Sequence, residues 1–170
     1  MKNWFLALTA ALGFCGCNSH NTTADIPVVK PFNITRYQGK WYEIARLPNR
    51  FERGMSHVTA TYTLRPDGTV KVVNQGIKNG KLVSITGVAR AKNSPADGEL
   101  EVSFFRPFYS DYRIIKLAPD YRYSIVTGSS RRLLWILARQ PELSAADKNT
   151  ILEFLRQHRF PTGELIYSQR

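Results

Sequence analysis

Short runs of alternating apolar and polar residues fill the chain between residues 40 and 139, which is the pattern of β-strands. Turn sequences separate the runs, and the strongest hairpin signals are Pro66-Asp67-Gly68, Asn79-Gly80 and Asp97-Gly98. The runs predict eight strands, at approximately residues 40–48, 56–65, 69–77, 81–92, 99–105, 111–118, 121–128 and 132–139. Eight sequential antiparallel strands favour a closed up-and-down barrel, because closure removes exposed strand edges. A barrel of this size has room for one small ligand.

The hydrophobic period changes near residue 144. Ser144 is a suitable helix N-cap, Ile151 and Leu155 recur at helical spacing, and Pro161 ends the run. We expect one α-helix, with its apolar stripe against the outside of the barrel, and a short last strand at residues 165–167. The predicted fold is therefore all-β, an eight-stranded up-and-down antiparallel barrel with one C-terminal α-helix packed outside.

The first strand begins with the largest side chain in its neighbourhood, Trp41. Because side chains alternate along a strand, Trp41, Glu43 and Ala45 are predicted to share one face. The side chains on this face become smaller along the strand, from tryptophan to alanine, as expected for an interior that is closed at one end and open further along. We therefore place Trp41 at the floor of the barrel.

The N-terminal residues have the composition of an export signal. Lys2 gives a positive start, and the apolar run at residues 4–14 is too short to span a bilayer comfortably. The junction resembles that of a bacterial lipoprotein, in which the cysteine after the cut carries acyl chains such as palmitate; Gly16 favours Cys17 over Cys15. We assign residues 1–16 to a lipoprotein signal peptide, 17–30 to a lipidated tether and 31–170 to the barrel domain. An ordinary secretory signal is the first alternative, and an uncleaved membrane anchor is the second.

The formal net charge of +11 raises nucleic acid or an anionic membrane as a partner. The basic residues are scattered, however, and form no recognition-helix pattern, no RNP-like motif and no long basic tail. A solvated surface explains the charge best, and attraction to anionic lipid headgroups comes second. We expect no nucleic-acid partner.

Motifs for catalysis and metal binding are missing from the sequence. It has no G-x-S-x-G, P-loop, H-E-x-x-H or G-x-G-x-x-G motif, and its three histidines are dispersed. Both cysteines precede the barrel domain, so the domain offers no thiol nucleophile. We expect no catalytic residue, no metal and no cofactor.

Three short motifs resemble those of the lipocalin family. Gly39-Lys40-Trp41-Tyr42-Glu43 resembles the first, Asp120-Tyr121 lies where the family has the second, and Arg139 lies where it has the third. They occur in order and at family spacing, and the signature residues are Gly39, Trp41, Asp120, Tyr121 and Arg139. Within the family the chain is similar to the bacterial lipocalins and apolipoprotein D. The resemblance implies a structural role for Arg139, whose guanidinium would stack on Trp41.

The family's strand orientation, combined with strand parity, implies which residues line the cavity. The lining is mainly apolar with a few polar groups, as in sites for small amphiphiles. The predicted ligand-binding residues are Glu43, Ala45, Val58, Ala60, Tyr62, Val72, Asn74, Phe104, Ser124, Val126 and Trp135. We expect Glu43 to hydrogen-bond Asn74 or Tyr62 or to hold water, because an unpaired buried charge is costly. The alternative is that these residues pack solidly and leave no cavity.

The resemblance implies a lipid-binding protein that stores or transports a fatty acid or lysophospholipid. The N-terminal acyl anchor would hold it on the outer membrane, with the barrel facing the periplasm; the non-acidic Asn18 favours this membrane over the inner one. The oligomeric state is left open between monomer and homodimer. The alternatives are a lipid-acting enzyme and a ligand-free envelope lipoprotein with a structural or partner-binding role.

Overall fold

The computed structural model describes residues 21–168, so the predicted signal peptide, Cys15 and Cys17 lie outside the described residues. The helices are α1 (Ile34–Tyr37) and α2 (Ala145–Gln157), and a 3₁₀ turn covers Thr162–Glu164. The strands are β1 (Gly39–Arg46), β2 (Met55–Leu64), β3 (Val70–Lys78), β4 (Lys81–Ala91), β5 (Glu99–Phe105), β6 (Phe108–Leu117), β7 (Tyr123–Thr127), β8 (Leu134–Ala138) and β9 (Ile166–Tyr167). Among the described residues, no helix is long and apolar enough to cross a membrane.

The strands form the closed barrel that the sequence predicts. Consecutive strands from β1 to β8 pair antiparallel, and β1 also pairs with β8, so the sheet closes on itself. Asn79 and Gly80 join β3 to β4 with φ angles of 51° and 72°, as a type I′ hairpin turn requires. The connections β1–β2, β3–β4, β5–β6 and β7–β8 lie at one end, which we call the mouth. Helix α1 and the other connections lie at the opposite end, which we call the floor.

Two apolar clusters lie on the two sides of the barrel wall. The inner cluster contains Trp41 and Val72, together with inward side chains of the other strands. In the outer cluster, Ile151 and Leu155 of α2 are at most 1% exposed and pack with residues of the wall such as Ile136. This arrangement confirms the predicted helix outside the barrel.

Trp41 closes the floor. Its side chain is fully buried, and its Nε1 donates to the carbonyl oxygen of Tyr37 at 2.8 Å. The Arg139 guanidinium lies 4.0 Å from the centroid of the Trp41 ring. It also donates to the carbonyl oxygens of Arg36 at 2.7 Å and Lys40 at 3.1 Å. Arg139 therefore connects the end of β8 with α1 and the start of β1.

The turn between β6 and β7 is tied to the same end. The Tyr121 hydroxyl accepts a hydrogen bond from the Asn33 amide at 3.0 Å, and the Arg36 guanidinium lies 4.1 Å from the Tyr121 ring. Asp120 accepts from the Arg122 side chain at 3.0 Å. The residues of the second family motif therefore hold the floor end together.

A β-bulge in β1 changes which side chains face inward. Glu43 pairs with Leu137 of the inner cluster, whereas Ala45 pairs with Ile136 of the outer cluster, and Ile44 is the extra residue. Ala45 is therefore buried beneath α2, and the prediction that it lines the interior is wrong. Strict alternation assumes an unbroken ladder of strand pairs, and the bulge interrupts that ladder.

Residues 22–30, which the sequence assigns to the tether, lie against the barrel. Thr23 and Ile26 are at most 1% exposed. The Val29 amide donates to Ile114 at 2.9 Å, and the Gly98 amide donates to Val29 at 2.9 Å. This part of the predicted tether is packed with the folded domain.

Replacing Arg139 with alanine is expected to lower the free energy of unfolding by about 1–3 kcal/mol, because a cation–π contact and two charged hydrogen bonds are lost. Denaturant titration measures the change. Arg90→Ala is the matched control, since Arg90 also lies over a ring, 4.4 Å from Tyr109, but its side chain is 54% exposed. Its removal should cost less than about 1 kcal/mol. Equal costs for the two variants would contradict a special role of Arg139.

Candidate ligand-binding site

The floor half of the barrel interior is filled by its own side chains. The Tyr112 hydroxyl lies 2.9 Å from that of Tyr37 and 2.8 Å from that of Tyr62, and the Tyr37 hydroxyl donates to Ser124 Oγ at 3.1 Å. The void left among the rings and the neighbouring apolar side chains is about 10 Å³, which holds at most one water molecule. A ligand therefore has no room in the floor half.

The three tyrosines remain protonated. Burial raises the pKa of Tyr37 to about 12 and raises the pKa values of Tyr62 and Tyr112 well above their usual range. Each neutral hydroxyl has a partner within the group, as burial of polar atoms demands. The polar atoms of the floor are thus paired with one another rather than directed at a ligand.

The mouth half of the interior is open to solvent. Ile85 of β4 faces inward because it pairs with the inward-facing Asn74, yet Ile85 is 38% exposed, and Val83 on the same face is 36% exposed. Phe104 and Trp135 pack partly buried against the inner cluster. The interior is therefore a cup with a packed floor, and we call its open half the cup.

Phe104 is positioned by a glycine on the neighbouring strand. A Cβ atom added at Gly87 would lie 2.7 Å from Phe104 Cδ1 and 2.6 Å from the Ser103 carbonyl oxygen. The Phe104 ring can lie on the wall only because β4 has no side chain at this position.

A charged cluster occupies the β1 side of the cup. Arg46, 3% exposed, donates from Nη1 to Glu43 Oε1 at 2.5 Å, and its Nε lies 3.8 Å from Glu52 Oε2. Trp135 Nε1 donates to the same Glu52 oxygen at 2.8 Å, and the Ser168 hydroxyl donates to Glu43 at 2.8 Å. Two carboxylates share one guanidinium, and the cluster joins β1, the β1–β2 loop, β8 and the residue after β9.

Two polar atoms of this region have no hydrogen-bond partner among the described residues. They are Glu43 Oε2 and Asn74 Oδ1, both buried. Burial, followed by the charge of Glu52, raises the pKa of Glu43 to about 7, and Arg46 offsets this only in part. A protonated Glu43 supplies a donor and Asn74 an acceptor, so both can serve a hydrogen-bonding group.

Hydrogen bonds from Glu43 to Asn74 or Tyr62 are not formed, and that part of the prediction is wrong. The bulge turns Arg46 to the same side as Glu43, where the guanidinium takes one carboxylate oxygen. The Tyr62 hydroxyl instead meets Tyr112.

The predicted lining residues fall into two groups, apart from Ala45. Those in the packed floor half are Ala60, Tyr62, Val72, Ser124 and Val126. Those in the mouth half are Glu43, Val58, Asn74, Phe104 and Trp135. Of the second group, Asn74, Phe104 and Trp135 are partly exposed, whereas Glu43 and Val58 are buried.

The interior residues that the prediction did not include are, among others, Arg46, Tyr112, Ile85 and Val83. Strict alternation along the first strand puts Arg46 on the face opposite to Glu43, and the sequence carries no sign of the bulge that turns it inward. Tyr112 and Ile85 lie inward, and strand parity in the sixth and fourth strands could have found both, since Tyr112 pairs with Leu100 and Ile85 with Asn74.

Comparison with known proteins gives one consistent family. Residues 32–170 match the family described as "Lipocalin-like domain". The chain is 40% identical to "Outer membrane lipoprotein Blc" of Escherichia coli (strain K12) over 166 residues, which cover 96% of this chain and 94% of that one. It is 35% identical to "Apolipoprotein D" of Bos taurus over 126 residues, which cover 69% of this chain and 66% of that one.

Solved structures agree on the fold. Insecticyanin from the tobacco hornworm Manduca sexta superimposes with a TM-score of 0.72 at 19% identity, covering 86% of this chain and 85% of that one. At this level of identity the similarity concerns the fold alone.

The buried carboxyl of Glu43, close to the charge of Glu52, predicts a pH-dependent stability. The pKa of Glu43 is raised from its ordinary value of 4.5 to about 7 in the folded chain, so the folded state holds a proton that the unfolded state has released. The free energy of unfolding should therefore fall as pH rises through this window, by up to about 1.4 kcal/mol per pH unit. Denaturant titrations of the wild-type chain and Glu43→Gln across the window measure the effect.

Glu43→Gln isolates this contribution, because glutamine keeps polar atoms for Arg46 and Ser168 but cannot titrate. The stability of the wild-type chain relative to the variant should decline as pH rises. A difference that is constant or that grows with pH would mean that Glu43 is ionised throughout.

Proposed function

Because the chain belongs to the lipocalin family, whose members bind small hydrophobic ligands, we propose that it binds a membrane-derived lipid in the cup. The lipid is a fatty acid or lysophospholipid, which the protein stores or transports. The protein is anchored by acylated Cys17 to the outer membrane, with its barrel in the periplasm.

One observation carries this proposal: inward-facing apolar residues in the mouth half meet solvent, whereas those of the floor half are sealed. Ile85, Val83 and Phe104 supply an apolar wall that an acyl chain can cover. Each methylene removed from water contributes about 0.8 kcal/mol. The packed floor limits how deep the chain can enter, so the polar head group stays near the mouth.

The polar groups of the proposed site fit an amphiphile. Glu43 Oε2 and Asn74 Oδ1 are unpaired within the described part of the chain, and a hydroxyl or a bridging water can satisfy them. Exposed Arg50, Arg53 and Arg106 stand on the mouth loops, where a carboxylate or phosphate group would meet cations. A purely hydrocarbon ligand would use neither set.

The names of the relatives support the proposed location. Several bacterial relatives at 40% identity are named outer membrane lipoproteins, and this chain has a cysteine directly after a small residue, Gly16-Cys17, at the end of its apolar N-terminal run. Members of the family are generally binding proteins rather than enzymes, which favours a binder over a lipid-acting enzyme.

Narrowing the cup should weaken binding. Ile85→Trp places an indole in the open half, and we expect the affinity for a fluorescent fatty acid to fall at least about tenfold, or about 1.4 kcal/mol. Ser84→Trp is the matched control, since Ser84 is the adjacent, exposed residue on the outward face. Fluorescence titration measures both, and circular dichroism verifies that both variants fold.

Unchanged affinity in Ile85→Trp would place the ligand outside the cup. The next place to look would then be an open groove of about 440 Å³ at the floor end, lined by residues that include Pro31, Leu117 and Pro119.

Mass spectrometry of an organic extract identifies what the purified protein carries. We expect a fatty acid or lysophospholipid from the wild-type chain and from Ser84→Trp, and much less from Ile85→Trp. Hydrolysis of added lysophospholipid by the purified protein would favour the enzyme instead.

A further inference from the structure

The N-terminal segment joins the barrel at its mouth. Thr22 forms a β-bridge with Ser130, in the loop that connects β7 to β8. The Thr23 amide donates to the Ser129 carbonyl at 3.1 Å, and the Arg131 amide donates to Asn21 at 2.8 Å. From there the segment runs along the wall, past Ile114, to α1 at the floor.

Two buried arginines fasten this segment. Arg131, 6% exposed, forms a salt bridge from Nη2 to Asp25 at 2.6 Å and donates from Nε to the His158 carbonyl at 2.8 Å. Arg113 donates to the carbonyl oxygens of Thr23 and Ile26. The point at which the chain leaves the barrel is therefore fixed at the mouth.

The distance from this point to the proposed acyl anchor is short. Only residues 18–21 separate Cys17 from Thr22, and five residue steps span at most about 18 Å. Strand β2 has ten residues, about 33 Å, which at a tilt of about 40° makes the barrel about 25 Å tall. The floor end cannot face the anchoring membrane, because Thr22 would then be out of reach of the anchor.

The mouth also carries the most exposed large apolar side chains of residues 21–168. Phe51, Leu82, Phe105 and Phe108 are 65%, 72%, 74% and 78% exposed. They stand on or next to three different mouth connections, and we call them the rim. Such a group at one end of a molecule is unlike the single exposed apolar residues of ordinary surfaces.

Cations accompany the rim. Arg50, Arg53, Lys78, Lys81 and Arg106 lie on the same connections or strand ends and are exposed. None of them takes part in an ion pair within residues 21–168. Aromatic side chains with unpaired cations are the combination that binds the interface of an anionic bilayer.

We propose that the rim docks on the leaflet that holds the protein's own acyl anchor, so that the cup opens directly onto the bilayer. The proposal rests on acylation at Cys17, which belongs to the proposed function. A second copy of the chain fits the rim less well, because a rim-to-rim dimer would bring like charges together. In the docked orientation a lipid passes between bilayer and cup without crossing bulk water.

The mature acylated chain, reconstituted in vesicles of phosphatidylethanolamine and phosphatidylglycerol, tests the docking. Single cysteines are introduced as Phe108→Cys at the rim and Ala91→Cys near the floor, where Ala91 is exposed, and are labelled with an environment-sensitive dye. The only cysteines of the chain are Cys15 and Cys17; cleavage removes the first, and acylation blocks the second. The label at position 108 should shift to the blue and be quenched several-fold more by nitroxide lipids than the label at position 91.

Equal quenching at the two positions, or stronger quenching at position 91, would overturn the proposal. A different pair of results would show that a second copy covers the rim: no quenching of the label at position 108, together with disulfide-linked dimers of the unlabelled Phe108→Cys chain. Intact mass separately reports whether Cys17 is acylated, and fluorescent fatty-acid titration reports whether the cup is used. Failure of the anchor or of the cup is thus distinguishable from failure of the docking.

Discussion

The stack of Arg139 on Trp41 on Tyr37 sets the shape of the interior. Arg139 lies 4.0 Å from the Trp41 ring, and Tyr37 lies 4.6 Å from it, with the Tyr37 hydroxyl bonded onward to Tyr112 and Ser124. Trp41 lies on the first strand of the barrel and Arg139 directly follows the eighth. The stack therefore closes the barrel and fills its floor half. The open volume is confined to the mouth half, where the wall is not met by side chains from α1.

The cup wall is stiffened by polar contacts rather than by packing alone. Arg46 holds Glu43, and its Nη2 donates to the carbonyl oxygens of Glu52 and Met55 at 2.9 and 3.2 Å. Glu52 in turn accepts from Trp135 and Asn49. The buried charges of Arg46 and Glu52 are tolerated here because each has several partners, whereas Glu43 keeps one unpaired oxygen and a raised pKa. The β1–β2 loop is thereby fixed beside an interior that stays open, which suits a binding site whose entrance must keep its shape.

The same loops serve two purposes in the proposed account. Their inner surfaces line the entrance to the cup, and their tips carry Phe51, Phe105 and Phe108 into solvent. The fastening of residues 22–26 beside the β7–β8 loop would put the proposed acyl anchor at this end as well. The up-and-down topology places every second connection at the mouth, so the loops that line the ligand entrance are the same ones that would contact the membrane.

The sequence by itself determined the barrel, the outer helix and Trp41 at the floor, because alternation, turn residues and an N-cap are local properties of the chain. Only the tertiary structure decided how much of the interior is open. The bulge at Ile44 moved Ala45 outward and turned Arg46 inward, and no local pattern marks it. The meeting of Tyr37, Tyr62 and Tyr112 depends on register across distant strands. Likewise, the N-terminal segment has the composition of a linker. It is bound to the wall by Arg113 and Arg131, 87 and 106 residues further on, and by backbone hydrogen bonds to residues that are also distant in sequence.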